Sequence, residues 1–405
     1  MRQQDESADA LMECPACGQR QTVAFLDRGP TPVHANLLLR SAEQARNLTR
    51  GSLRLSVCNA CDFVFNPAFD LSLLSYGSSY DNTQTWSPAF ANYVGELVNY
   101  LVHERGVRHR AIVEVGCGKG GFLRRLVEPA EWGNAGHGFD PAYEGPRVDL
   151  NGRLQFSPCY YGADCSHVRA DVVVCRHVIE HVPKPRLLLN SIREALAGNS
   201  SAKVYFETPC VEWILKNHVM WDFCYEHCSL FTAQSLTSLF QRSGFQVEDV
   251  RHVFGGQYLW LEATLATSPC REPDASSPLL PLAQDYARQD AEYRTAWLNK
   301  VKRWREGGAV AVWGAGAKGV SFANLVDPDR QYLACVVDIN PAKQSCFIPG
   351  TGHPVIGPER LKELGIATIL VLNPRYTSEI ESSLRHSGHA SKVVDLMEDA
   401  AISTP

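Results

Sequence analysis

No stretch of this 405-residue chain approaches the roughly 18 consecutive apolar residues of a membrane-spanning helix. No block of like charge stands out either. Lys and Arg number 39 against 44 Asp and Glu, a formal −5, so bulk electrostatics offers no attraction for nucleic acid or a membrane surface. The opening residues, Met1 to Asp9, lack the basic segment and apolar run of a secretory leader, and a soluble, cytoplasmic protein is expected. No fixed-period repeat is present, which excludes a solenoid. The 14 cysteines are too dilute for a small disulfide scaffold. What remains is 45% hydrophobic and 20% charged, enough to bury sizeable cores, in a length that predicts two or three domains.

Pattern divides the chain into three: residues 1–75, 76–290 and 291–405. The first holds two cysteine pairs and short strand-like runs such as Leu53–Val57. The second alternates strands (Ala111–Val115, Asp171–Cys175, Ala202–Phe206) with helices (Phe122–Val127, Leu187–Leu196), the mark of a mainly parallel sheet with covering helices. The Pro- and Ser-rich stretch Ser268–Pro278 reads as a connection, and a polar helix, about Gln284 to Glu306, follows it. A second, smaller βαβ unit then begins at Ala309–Trp313 and continues through Ala334–Asp338 and Ile369–Leu372.

Cys14-Pro-Ala-Cys17 and Cys58-Asn-Ala-Cys61 can place four thiolates in a tetrahedron, the geometry of a closed, structural Zn²⁺ site. Four free cysteines or a redox pair are the alternatives, but a redox pair does not usually occur twice, and neither pair opens a helix after a strand. The remaining cysteines lie singly beside apolar residues and read as core.

Glu114-Val-Gly-Cys-Gly-Lys-Gly120 stands between a strand and a helix, where glycines let a ligand approach the backbone. Gly116, Gly118, Gly120 and Gly121 are packed tighter than a dinucleotide fingerprint and follow an acid, as in an S-adenosyl-L-methionine (SAM) loop. Glu114 can act through the ligand's amino group or through a water. Asp140, in Gly138-Phe-Asp-Pro141, ends the next strand and is placed to take ribose hydroxyls. Glu114, Gly116, Cys117, Gly118, Asp140 and Pro141 are therefore the candidate donor-binding residues.

Arg176-His-Val-Ile-Glu-His-Val182 follows another strand, at the strand C-termini where ligands bind; if the segment is helical, His177 and His181, four apart, share one face, with His177 a donor-side candidate and His181 a reactive one. Trp221-Asp-Phe-Cys-Tyr-Glu-His-Cys-Ser-Leu-Phe-Thr232 sets an acid beside a histidine among aromatics. It is either a general-base pocket or an aromatic loop packed on the sheet. Gly314-Ala-Gly-Ala-Lys-Gly319, with Asp338 ending the next strand, matches GxGxxG, so NAD binding competes with another phosphorylated ligand at the helix start.

The order CxxC…CxxC, EVGCGKG with GFDP, RHVIEHV, YEHCSLFT, and GAGAKG with VVDINPAKQ resembles the three-domain, zinc-containing SAM-dependent C-methyltransferases of nucleotide-sugar metabolism over nearly the whole chain. The resemblance implies an N-terminal zinc domain, a central Rossmann-like class I methyltransferase sheet and a C-terminal Rossmann-like domain that helps hold the substrate rather than NAD. It implies a small-molecule acceptor, a nucleoside-diphosphate keto sugar or related metabolite of natural-product biosynthesis, handled by a monomer or homodimer. It also implies a histidine–glutamate pair that removes a proton beside the ketone so that the enolate takes the methyl group. Here the pair is His227 with Glu226, and His181 is a polariser or second base. Tyr76 or Tyr80 supplies the tyrosine leading into the SAM domain. Cys224 and Tyr225 replace the family's Tyr and His, so Tyr225 is the candidate for the displaced phenol. This departure, with those at Lys343–Cys346 and Tyr80–Phe90, falls on the acceptor side, and a sister branch with another acceptor is the alternative. O- or N-methylation and an NAD(P)-dependent dehydrogenase are the rival activities, and a non-enzymatic sensor or scaffold is the rival outside catalysis.

Overall fold

The computed structural model describes residues 12–77, 79–267 and 278–399. Of the connection expected at Ser268–Pro278, residues 268–277 lie outside the described residues. Among them, no helix is long and apolar enough to cross a membrane.

Thr22–Pro32 and Arg50–Cys58 form an antiparallel pair, and Val64–Phe65 adds a third strand. The fourth strand of this small sheet is Ser229–Leu230, contributed from far along the chain. Leu53, Leu55 and Val57 alternate inward on the second strand, the period that buries one face.

The central sheet has eight strands in the spatial order Phe245–Val253, Tyr258–Leu265, Lys203–Pro209, Val172–Arg176, Ala111–Val115, Ala135–Phe139, Leu154–Ser157, Val148–Asp149. The strands from Lys203–Pro209 to Leu154–Ser157 are parallel, and Tyr258–Leu265 returns antiparallel. Both faces of the parallel strands are covered, so Val172–Cys175 and Val204–Phe206 are continuously apolar and buried. Strand order reverses beside Ala111–Val115, whose later partners lie one on each side. That reversal leaves a crevice at the carboxyl ends of Ala111–Val115 and Val172–Arg176, where open α/β sheets bind ligands.

The third sheet is parallel throughout, in the order Val355–Ile356, Leu333–Val337, Ala309–Trp313, Ile366–Val371, Lys392–Asp395. The helix Leu279–Glu306 leads into it, and the boundary expected at residue 290 falls inside this helix. The helix binds all three units together. Its Asp290 meets Arg28 of the first strand at 2.6 Å, and its buried Trp297 packs edge-on against Trp221 and Phe322.

Candidate active site

Strand Ala111–Val115 runs into left-handed backbone at Gly116 (φ +70°) and Gly118 (φ +54°). A Cβ on Gly116 would lie 2.1 Å from Val178, so only glycine lets the two loops touch. A Cβ on Gly118 would meet nothing within 4 Å, because that face opens into a cavity of about 440 Å³. The Gly118 amide donates to Asp140 Oδ2 at 2.8 Å and the Ala142 amide to Oδ1 at 2.8 Å, which aims the carboxylate at the end of Ala135–Phe139. Glu114 is buried and accepts from the Leu123 amide at 3.1 Å. Burial pushes its carboxyl up to about 8 against the pull of Arg176. Glu114, Gly116, Cys117, Gly118, Asp140, Pro141 and His177 all line this one cavity.

His177 and His181 do not share a helix face. His177 sits at φ +54° just past its strand, and only a single 3₁₀ turn, Ile179–His181, follows. The strained residue turns its ring toward two buried acids, Glu207 at 3.6 Å and Glu180 at 3.6 Å. Burial opposes its positive charge, but Glu207 and Glu180 outweigh burial and raise it to about 9. Glu207 is also held by Arg176 at 2.6 Å and by the Tyr93 hydroxyl.

A second cavity, about 230 Å³, opens between the central and C-terminal units; Tyr80, Asn82, Thr83, Gln84, His177 and His181 line both. Glu226 and His227 face this second cavity. They are held there because Ser229–Leu230 is pinned to Val64–Phe65, which draws the preceding residues between the N-terminal and central sheets. Atoms of Glu180, His181 and His227 converge within 4.8 Å of one another. His227 Nδ1 is buried without a hydrogen-bond partner. Burial first, then the neighbouring His181, lowers His227 to about 4, so it is a neutral imidazole at physiological pH. Tyr76 reaches the same place, its hydroxyl 3.4 Å from His181 Nδ1.

Tyr225 is not brought to this site. Its hydroxyl accepts from the Asp70 amide at 2.7 Å, and its ring covers Gly51, where a Cβ would lie 2.2 Å away. The side chain before Glu226 therefore packs into the N-terminal unit. Three residues invisible to motif reading are brought in. His34 and the Ala35 amide, from the loop after Thr22–Pro32, hold Glu226 at 3.1 and 2.8 Å. Asn36 lines the second cavity. The Pro-Val-His-Ala-Asn run carries no spacing that would have marked them.

The far wall of the second cavity is the C-terminal glycine turn. A Cβ on Gly319 would lie 1.9 Å from the Gly314 carbonyl oxygen, the close helix–strand approach that demands glycine. The Ala315 amide donates to Asp338 Oδ2 at 2.8 Å, the same arrangement as Gly118 with Asp140. Lys318 pairs with Asp222 across the domain boundary. Lys343 is buried and bonds the Ala315 carbonyl at 3.0 Å and Asn36 at 3.3 Å.

Residues 89–250 match the family described as a methyltransferase domain, and residues 272–393 match the C-methyltransferase C-terminal domain. The chain is a SAM-dependent methyltransferase. It is similar to the C-methyltransferase NovU of Streptomyces niveus, 25% identical over 369 residues that cover 86% of each chain. Among solved structures it is similar to a 1,6-didemethyltoxoflavin-N1-methyltransferase of Burkholderia thailandensis holding S-adenosylhomocysteine: 15% identity, TM-score 0.34, over 44% of this chain and 81% of the other. Magnesium protoporphyrin IX methyltransferase of Synechocystis, also holding that product, matches at 13% identity and TM-score 0.34, over 44% of this chain and 84% of the other. The second match places the GxGxxG turn in a C-methyltransferase domain rather than a dehydrogenase.

At the N-terminus of the methyltransferase, Cys14, Cys17, Cys58 and Cys61 are all buried with their sulfurs within 4.8 Å of one another. Cys14 Sγ lies 3.8 Å from Cys61 Sγ, and Cys17 Sγ 3.6 Å from Cys58 Sγ. Thiolates at about 2.3 Å from a tetrahedral zinc stand about 3.8 Å apart, so the donor set fits that ion.

Proposed function

We propose that this methyltransferase transfers the methyl group of SAM to a carbon beside the ketone of a nucleoside-diphosphate keto sugar. The observation that carries this reading is the meeting of the two cavities at His177 and His181, with neutral His227 on the acceptor side. Asp140 holds the ribose hydroxyls of SAM, and Glu114 faces its cationic methionyl end. SAM supplies an electrophilic methyl that needs little further activation. His227 takes the proton from the carbon α to the carbonyl, and His181 with the Tyr76 hydroxyl steadies the oxygen that becomes negative. Glu226 orients the acceptor and balances the imidazolium formed at His227. At the other end, the Gly314–Gly319 turn and the start of helix Ala317–Val326 receive the diphosphate, and Asp338 receives the ribose. Bringing both reactants into one pair of joined cavities supplies the orientation that a two-substrate transfer requires. The four cysteines hold a structural zinc that folds the N-terminal unit.

The test begins with calorimetry against SAM, with Asp140→Ala as the control that loses binding. Turnover with nucleoside-diphosphate keto sugars follows, and NMR of the product assigns the new methyl to carbon. A methyl on oxygen or nitrogen would refute the enolate route while leaving the donor site intact.

A further inference from the structure

We infer that His34, which lines neither cavity, is the positioning residue for Glu226 and couples the N-terminal unit to catalysis. The inference rests on the reading of Glu226 as part of the acceptor site.

His34 is 3% exposed and sits two residues past the end of Thr22–Pro32. The Ser75 amide donates to its Nε2 at 3.0 Å, which makes that nitrogen the acceptor. The ring proton is thereby placed on Nδ1, which points at Glu226 Oε1 3.1 Å away. The adjacent Ala35 amide donates to Glu226 Oε2 at 2.8 Å. One loop therefore binds both carboxylate oxygens, and a backbone amide selects the tautomer that does it. The loop is itself tied down by the Val33 amide, which donates to the Thr49 carbonyl at 3.1 Å, beside the strand that ends in Cys58. The other groups facing Glu226 are the phenols of Tyr76 and Tyr80, His181 after its strand, and Cys224 and His227 on its own segment. Burial alone would raise the Glu226 carboxyl; the His34 hydrogen bond first, then His181 and the Ala35 amide, hold it below its ordinary value. Without the Nδ1 donor, a buried acid among phenols and a thiol takes up a proton, and its negative charge beside His227 is lost.

The experiment reads the ionisation of Glu226 directly, in full-length protein without acceptor. The infrared carboxyl band that disappears in Glu226→Gln is titrated against pH in three further variants. His34→Asn presents an amide N–H where Nδ1 stood. His34→Gln reaches the Ser75 side instead and leaves Glu226 without its donor. His34→Phe removes both bonds. The expected result is a Glu226 midpoint near that of the parent protein in His34→Asn and shifted to higher pH in His34→Gln and His34→Phe. SAM affinity and zinc content are expected to stay unchanged in all three. In turnover, kcat falls about tenfold or more in the last two variants and is largely kept in His34→Asn. If the midpoint is the same in all variants, or moves equally in His34→Asn and His34→Gln, His34 is only a packing residue and the inference fails. Should His34→Phe not fold, the Asn and Gln pair decides the matter alone. The failure of the reading beneath it has a separate signature: Glu226→Gln would then turn over as well as the parent.

Discussion

His181 and His227 stand with their imidazole planes at 90° and their centroids 4.9 Å apart. One ends a turn after a central strand, and the other is held by a strand of the N-terminal sheet. Burial lowers His227 to about 4, helped by this closeness, which disfavours charging both rings. A base lowered in this way is active above its own midpoint and loses its role as pH falls through that value. The kcat/KM profile for the acceptor, at saturating SAM, is therefore expected to show no His227 limb in the ordinary histidine range and to decline only toward pH 4; a limb near 6.5 would contradict the assignment. Replacement of His227 by Asn is expected to lower kcat by about 10²–10⁴-fold with SAM binding intact.

Glu114 yields a prediction for the donor site. With its midpoint raised to about 8, it carries a proton at pH 7 in the free protein. The ammonium and sulfonium of SAM stabilise the carboxylate, so binding releases that proton. Calorimetry in buffers of different ionisation enthalpy should show close to one proton released at pH 7 and fewer as pH rises past 8. Replacement of Glu114 by Gln should abolish the buffer dependence.

The cysteine cluster predicts one zinc per chain by elemental analysis. Cys58→Ser should lose the metal and lower the melting temperature. Because the same unit supplies the loop on Glu226 and the partner strand of Ser229–Leu230, turnover should fall further than SAM affinity.

Tyr225 gives a contrasting expectation. With its hydroxyl bonded to the Asp70 backbone, Tyr225→Phe should leave kcat unchanged and cost about 1 kcal/mol of stability in a denaturant titration. A large loss of kcat at constant stability would place the phenol in the reaction after all.

Much of this protein is legible in its sequence because the signals are local. Two CxxC pairs carry their own ligand spacing, the glycines of Gly116–Gly120 sit where a strand must turn into a helix, and the apolar runs from Val172 and Val204 announce buried parallel strands. Each depends only on near neighbours in the chain. What the tertiary structure decided is non-local. It set His177 and His181 around a turn rather than on one helix face, and it turned Tyr225 away from the cavity. It also brought His34, which no motif marks, onto Glu226. The cause is strand pairing between distant segments: Ser229–Leu230 completes a sheet begun by Thr22–Pro32, and that pairing decides which side chains of the intervening segment face the reaction and which face the core.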